Sequence, residues 1–329
     1  MSITLRPLQL PEDYAGLAEL LNTEWAEPTT AEQLAEDDAK LYEVGDTYKD
    51  GHGLLAGYDR TRHVAVNDRN EILGYVYCWR APWTEPGQLV NLMVVAEQHR
   101  RQGIGQKLLD LALEWGRQLG ASTLVAQVWD DKPDSLNFTA HRGFEQERHI
   151  FQSVLDIEKV DWENFDEERV ILSLEQSGLR FTTLAEEPGE VSEQKLYELY
   201  KETAFDIPGY TGDFPVIEEW RKWHLMVDGY APEQVIIAAD GDKYVGVSNV
   251  LHNQQTNGMY HEYTGVSRAY RGRKVGLGLK LKAIQLARRV RADYIRTDND
   301  STNAPILKIN RRLGYAPLRG SYRMLGRPF

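Results

Sequence analysis

The chain has 329 residues, 42% hydrophobic and 27% charged, with a formal net charge of −12. At ~150 residues per domain this length suggests two soluble globular domains. The acidic balance argues against a general nucleic-acid binder and suits a small cationic partner better.

A single cysteine, Cys78, excludes an internal disulfide, and the eight histidines are scattered without metal-ligand spacing, so no metal is expected. No apolar run approaches the ~18 residues of a membrane span, and the start of the chain carries no signal-like segment. The expectation is a cytoplasmic protein, monomer or homodimer, with no membrane or nucleic-acid partner.

Residues 3–7 read as a strand and 13–22 as a helix. Residues 63–67 and 72–79 read as strands paired across the turn formers Asp68, Arg69 and Asn70. A strand at 89–95 runs into Val95-Ala96-Glu97-Gln98-His99-Arg100-Arg101-Gln102-Gly103-Ile104-Gly105, and an amphipathic helix at 106–119 follows. A strand at 123–129, a short helix, Gly143-Phe144 and a last strand at 149–155 complete the first half. The acidic, partly helical stretch 156–178 reads as a connector whose helix Gly178 is placed to end.

The same order then repeats. Residues 179–184 and 193–202 read as strand and helix, 235–239 and 244–251 as strands across Asp240-Gly241-Asp242. A strand at 259–266 leads into Val266-Ser267-Arg268-Ala269-Tyr270-Arg271-Gly272-Arg273-Lys274-Val275-Gly276, followed by a helix at 277–290. Strands at 294–297 and 322–325 flank a short helix and Gly314-Tyr315. Val95, Arg100, Gly105 and Gly143 each recur 171 residues later, as Val266, Arg271, Gly276 and Gly314. A repeat this long is a duplicated domain, not a solenoid unit. The expected division is a first domain at 1–157, a linker at 158–178 and a second domain at 179–329.

A strand turning through a glycine-bearing loop into a helix presents unpaired backbone N–H groups at one spot, which suits a phosphate. Neither half has the Gly-Lys-Ser/Thr of a Walker loop, nor the third glycine of the dinucleotide fingerprint. What fits is Arg-x-x-Gly-x-Gly preceded by valine: Val95, Arg100, Gly103 and Gly105. With Gly143-Phe144 downstream and the whole set repeated, the chain resembles the GNAT acyltransferases in tandem form. The resemblance implies an α/β fold (α+β in some schemes) of two GNAT domains. Each would have a mixed, mostly antiparallel sheet flanked by helices.

It also implies transfer of an acetyl group from acetyl-CoA, as cosubstrate, to a primary amine of a small molecule; the alternative is a non-catalytic acyl-CoA-binding protein with one or both domains degenerate. The N–H groups of Arg101, Gln102, Gly103, Ile104 and Gly105 would hold the pyrophosphate, while Arg100 adds charge or braces the loop. The motif strand would splay from its neighbour, freeing backbone groups near Met93 and Val95 for the pantetheine arm. The second set is Val266, Arg271, Gly272, Arg273, Lys274, Val275 and Gly276. There Lys274 replaces the first glycine, unless the register shifts to Arg273-x-x-Gly276-x-Gly278; the constant offset favours the unshifted alignment. Ordinary coenzyme binding is therefore expected more strongly of the first loop.

Many relatives place a general-acid tyrosine five residues before the aromatic of Gly-Phe; here those positions are Thr139 and Asn310. For a base, strand parity puts Glu262, Thr264 and Val266 on one face, with Asn91 in the position corresponding to Glu262. Glu262 and Tyr263 are the catalytic candidates; Asp298 and the carboxylate of Phe329 are alternatives. The bland reading of Glu262 is a solvated strand-end charge. Trp79, Trp83, Trp129, Trp220 and Trp223 line a cleft or, more commonly, fill cores. Asn303 and Asn310 are expected to tie loop backbone together.

Overall fold

The computed structural model describes residues 3–25, 27–160, 167–211 and 213–326. The chain forms two compact units. One is built mainly from the described residues up to Arg148 and from Ser321 on, the other mainly from those between His149 and Gly320.

The first half runs β1 (Thr4–Pro7), α1 (Tyr14–Leu21), α2 (Ala31–Asp38), β2 (Asp46–Lys49), β3 (Leu55–Val66), β4 (Ile72–Arg80), β5 (Gln88–Val95), α3 (Ile104–Leu119), β6 (Thr123–Trp129), α4 (Pro133–Ala140) and β7 (Glu145–Asp156). The second runs α5 (Glu167–Gln176), β8 (Leu179–Thr183), α6 (Glu190–Ala204), α7 (Ile217–His224), β9 (Val235–Asp240), β10 (Lys243–Asn253), β11 (Gly258–Val266), α8 (Val275–Arg289), β12 (Tyr294–Asp300), α9 (Ala304–Arg312) and β13 (Ala316–Leu325).

Each unit is a mixed, mostly antiparallel sheet with helices on both faces. In the first, β1, β3, β4 and β5 pair antiparallel in succession, and β5 then pairs β6 in parallel. In the second, β8, β9, β10 and β11 do the same, and β11 pairs β12 in parallel. Helix α3 shows why the layers hold. Ile104, Leu108, Leu109, Ala112 and Gly116 fall on one face at helical spacing and are buried against the sheet with Leu73, Leu89 and Leu124. Leu17, Leu20 and Leu21 of α1 cover the opposite face with Val64, Tyr75 and Val94. The second unit repeats this, with α5 and α8 on one face and α6 and α7 on the other.

Two features differ from the sequence expectation. The closing strands are exchanged: β7 pairs β12, while Ser321–Leu325 of β13 pairs β6. A two-residue period specifies a face but not which of two duplicated edges a strand joins. Second, α5 is more than connector. Its Val170, Ile171 and Leu174 are buried in the second unit's core, and Gly178, at φ +92°, turns the chain into β8.

Candidate functional site

Both motif loops adopt one conformation. A single 3-10 turn follows each motif strand, and the arginine then folds back: Arg100 Nε donates to Val95 O at 3.0 Å and Arg271 Nε to Val266 O at 3.1 Å. Arg100 also pairs with Glu24 at 2.8 Å, and Arg271 with Asp206. Both guanidiniums therefore brace the loop.

Each loop has two left-handed residues, Arg101 (φ +62°) and Gly103 (φ +81°) in the first, Gly272 (φ +76°) and Lys274 (φ +68°) in the second. Lys274 thus occupies Gly103's position, which confirms the unshifted register. Each loop carries one glycine and one cationic residue in this costly conformation, in opposite order. The expected asymmetry between the loops is therefore smaller than the glycine pattern implied. Gly103 and Lys274 cap α3 and α8. The N–H groups of Arg101 to Gly105, and of Gly272 to Gly276, donate to no backbone acceptor among the described residues. These rows of donors at a helix N-terminus form an anion cradle.

The strand before each loop parts from its parallel neighbour. β5 pairs β6 only through Gln88–Asn91, leaving Leu92 to Val95 free on that side; β11 pairs β12 only through Gly258–His261. In the first unit a cavity of about 710 Å³ runs along this split. Met93, Val95, Arg100, Arg101, Gly103 and Gly105 line it, as do Ile104 and Trp129, whereas Gln102 is exposed outside it. A Cβ at Gly105 would stand 3.3 Å from the Phe138 ring, so any side chain there requires the ring to give by a few tenths of an ångström.

Neither position of the missing tyrosine supplies an acid. Thr139 Oγ1 donates into its own helix, to Ser135 O and Leu136 O. Asn310 Nδ2 donates to Asn299 Oδ1 at 2.7 Å, and Asn299 Nδ2 to Ser153 Oγ at 2.9 Å; Asn310 therefore joins a side-chain network, not loop backbone. Asn303 caps α9 without a side-chain bond. Trp220 is fully buried core, Trp79 stacks on Tyr77, and Trp83 lies 6.1 Å from Tyr42 between ring centroids; Trp223 is partly buried.

Strand parity fails at Glu262. Asn249 pairs Tyr263 and Val250 pairs His261, so Glu262 is an extra residue in a β-bulge. β5 has no such bulge, and Asn91, opposite Cys78, corresponds in register to His261. The bulge turns Glu262 away from the face that Val266 shares with α8 and toward α7. There its Oε1 lies 2.8 Å from His224 Nδ1 and its Oε2 accepts from Asn249 Nδ2 at 3.3 Å. Glu262 is therefore a partly buried, paired carboxylate; the solvated strand-end reading does not hold.

Tyr263 also faces α6, stacked on Tyr200 at 4.0 Å between ring centroids. Its hydroxyl lies 2.6 Å from Thr203 Oγ1, which itself donates to Leu199 O, so the tyrosine proton goes to Thr203. Burial pushes that phenol well up. Both the ring and the hydroxyl of Tyr263 are thus engaged by residues of α6. Asp298 accepts from Tyr260 at 2.9 Å, and Phe329 lies outside the described residues.

The sequence reading missed three groups. His224 ends α7, and Lys280 and His261 are buried on the α8 face of the second sheet. His261 Nε2 lies 2.9 Å from Tyr315 Oη, and burial together with Lys280 holds its imidazole well below the usual range. Lys280 replaces Leu109 of the first half. Its Nζ has no hydrogen-bond partner among the described residues, and burial pulls its amine down to about 7. A lysine between Leu279 and Leu281 on a helix was the available signal.

Among the described residues no helix is long and apolar enough to cross a membrane, and no group of His, Cys, Asp and Glu is arranged to hold a metal. The profile of the GNAT acetyltransferase family matches residues 17–144 and 194–315, which together exceed half the chain. The chain belongs to the GNAT acetyltransferase family, with two domains in tandem. A tandem GNAT protein from the clavulanic acid biosynthesis pathway is similar in fold, with a TM-score of 0.72 at 17% identity over 99% of this chain and 98% of that one. A GCN5-related N-acetyltransferase from Sphaerobacter thermophilus gives 0.68 at 17% identity, over 99% and 95% of the two chains. Comparison with curated protein sequences gave no match. The family implies an acyl-CoA donor and an acceptor substrate.

Proposed function

We propose that the chain transfers the acetyl group of acetyl-CoA to a primary amine of a small molecule by direct attack. The observation that carries this reading is the split motif strand opening onto an unpaired row of N–H groups at a helix N-terminus. That combination matches a ligand with a pyrophosphate at one end and a long hydrogen-bonding arm, as acetyl-CoA has. In the first unit Val95, Arg100 to Gly105 and Met93 form the coenzyme site, with the cavity taking the arm. In the second, Val266 and Arg271 to Gly276 form its counterpart, and Lys274 adds a cation beside the phosphates.

Transfer needs a deprotonated amine held against the thioester. The two units differ here. In the first unit Asn91 and Thr139 are no bases, and the carboxylates lining its cavity, Glu24 and Asp134, are paired with Arg100 and Arg101, beside His99 and His141; it is read chiefly as a coenzyme-binding unit. The second places Glu262 at the first residue past the point where β11 and β12 part. A nearly neutral amine attacks the carbonyl carbon, the C–N bond forms, and the C–S bond breaks to release coenzyme A. A thiolate leaves into water without a dedicated acid, so Thr139 and Asn310 are compatible with turnover.

Isothermal titration with acetyl-CoA tests the coenzyme site. A Gly103→Asp, Gly105→Asp double variant puts two carboxylates where the pyrophosphate lies, and the tighter of the binding events is expected to weaken at least tenfold. Unchanged affinity contradicts the assignment of the first loop.

A further inference from the structure

The polar cluster around Glu262 is more specialised than a single carboxylate. The ring of His224 lies 4.9 Å from the Tyr200 ring and 5.8 Å from the Trp220 ring, centroid to centroid, which fixes its plane. An ionised carboxylate offers only acceptors, so the contact between His224 Nδ1 and Glu262 Oε1 places the imidazole proton on Nδ1. In the neutral imidazole that leaves Nε2 as a lone pair, with no partner among the described residues. Asn249 locks the pair from below, donating through Nδ2 both to His224 O and to Glu262 Oε2. Beneath them Asn249 Oδ1 is fully buried with no hydrogen-bond partner among the described residues, and the buried Tyr200 hydroxyl lies beside Asn249 and Glu262. Buried polar groups left open in this way call for a ligand or a bound water.

We propose that His224 Nε2 is the group that deprotonates the acceptor amine, and that Glu262 is its positioning residue. The inference rests on the transfer reading above. It moves the base from the carboxylate to the imidazole, on the logic by which a buried acid orients a catalytic histidine and stabilises the imidazolium. An ammonium acceptor gives one proton to His224 Nε2, and the freed amine attacks the thioester carbon. The nitrogen's second proton passes to the departing thiolate, giving the amide and coenzyme A thiol. His224 then returns its proton to water. The charge on the imidazolium is met by Glu262 and by the carbonyl end of α7. The other titratable groups around it are Tyr200 and Tyr263, from α6 and β11, while on its own helix Arg221 is paired with Glu193 and Lys222 with Glu219.

The test is the pH profile of kcat/KM for wild type, His224→Gln and Glu262→Gln, using an amine that releases thiol from acetyl-CoA. His224→Gln is expected to lower the rate at least ~100-fold and abolish the rising limb. Glu262→Gln is expected to keep a rising limb with a smaller loss of rate, because the imidazole stays in place but loses the carboxylate that orients it. The histidine 15N spectrum should show the Nδ1–H tautomer in wild type and a mixture in Glu262→Gln, a readout that needs no turnover. Loss of all activity in Glu262→Gln with an intact limb in His224→Gln overturns the inference and leaves transfer standing. Absence of amine-dependent thiol release in wild type overturns the transfer reading itself, and with it the role of His224.

Discussion

Lys280 gives a stability prediction with its sign and size set by the structure. It is 1% exposed, its Nζ has no hydrogen-bond partner among the described residues, and the face of the Tyr315 ring 5.0 Å away compensates little of the lost hydration. Its amine falls from 10.5 to about 7 on folding. Between those two values the unfolded chain holds the proton more tightly, so stability rises with pH through that window. The penalty is largest below pH 7 and fades as pH approaches 10.5. Linkage over this shift puts the penalty at ~4 kcal/mol at pH 7 and ~2 kcal/mol at pH 9. Lys280→Met keeps the aliphatic stem and removes the amine. The variant should therefore be more stable than wild type by about those amounts in urea unfolding of the second unit, with the gain halving from pH 7 to pH 9. A variant less stable than wild type, or a gain independent of pH, refutes the reasoning.

Two further predictions concern the loops. Arg100→Lys should lower stability by ~1–3 kcal/mol, because an ammonium cannot bond Val95 O and Glu24 in the same geometry; thermal unfolding with acetyl-CoA titration checks both stability and loop order. Lys274→Gly should stabilise the second unit by ~1 kcal/mol through relief of the left-handed backbone. The same variant should weaken acetyl-CoA binding there if the lysine meets the phosphates, and a loss of stability on this substitution contradicts the strain argument.

Much of the fold was legible because its signals are local. The short apolar run of Thr123–Trp129, the turn at Asp240-Gly241-Asp242 and the sequence of each motif loop each reside in a short window. The exchange of β7 and β13 was not legible, since both duplicated edges offer the same pairing surface. The bulge at Glu262 was equally hidden. One extra residue in β11 reverses which face the carboxylate takes, and nothing in Tyr260-His261-Glu262-Tyr263 marks it. His224 lies 38 residues away from Glu262, at the end of a separate helix, and only packing against Tyr200 and Trp220 brings the two together. The loop arginines were half legible. The formula found them, but their roles as braces depend on Glu24 and Asp206, which no spacing rule connects to the loop.

The central claim is amine-dependent transfer from acetyl-CoA, and thiol release across a panel of small primary amines measures it directly. Release of coenzyme A thiol that requires both acetyl-CoA and one class of amine, with the acetylated amine recovered in equal amount, is the predicted result. Saturable binding of acetyl-CoA with no thiol released above the rate without amine would contradict it.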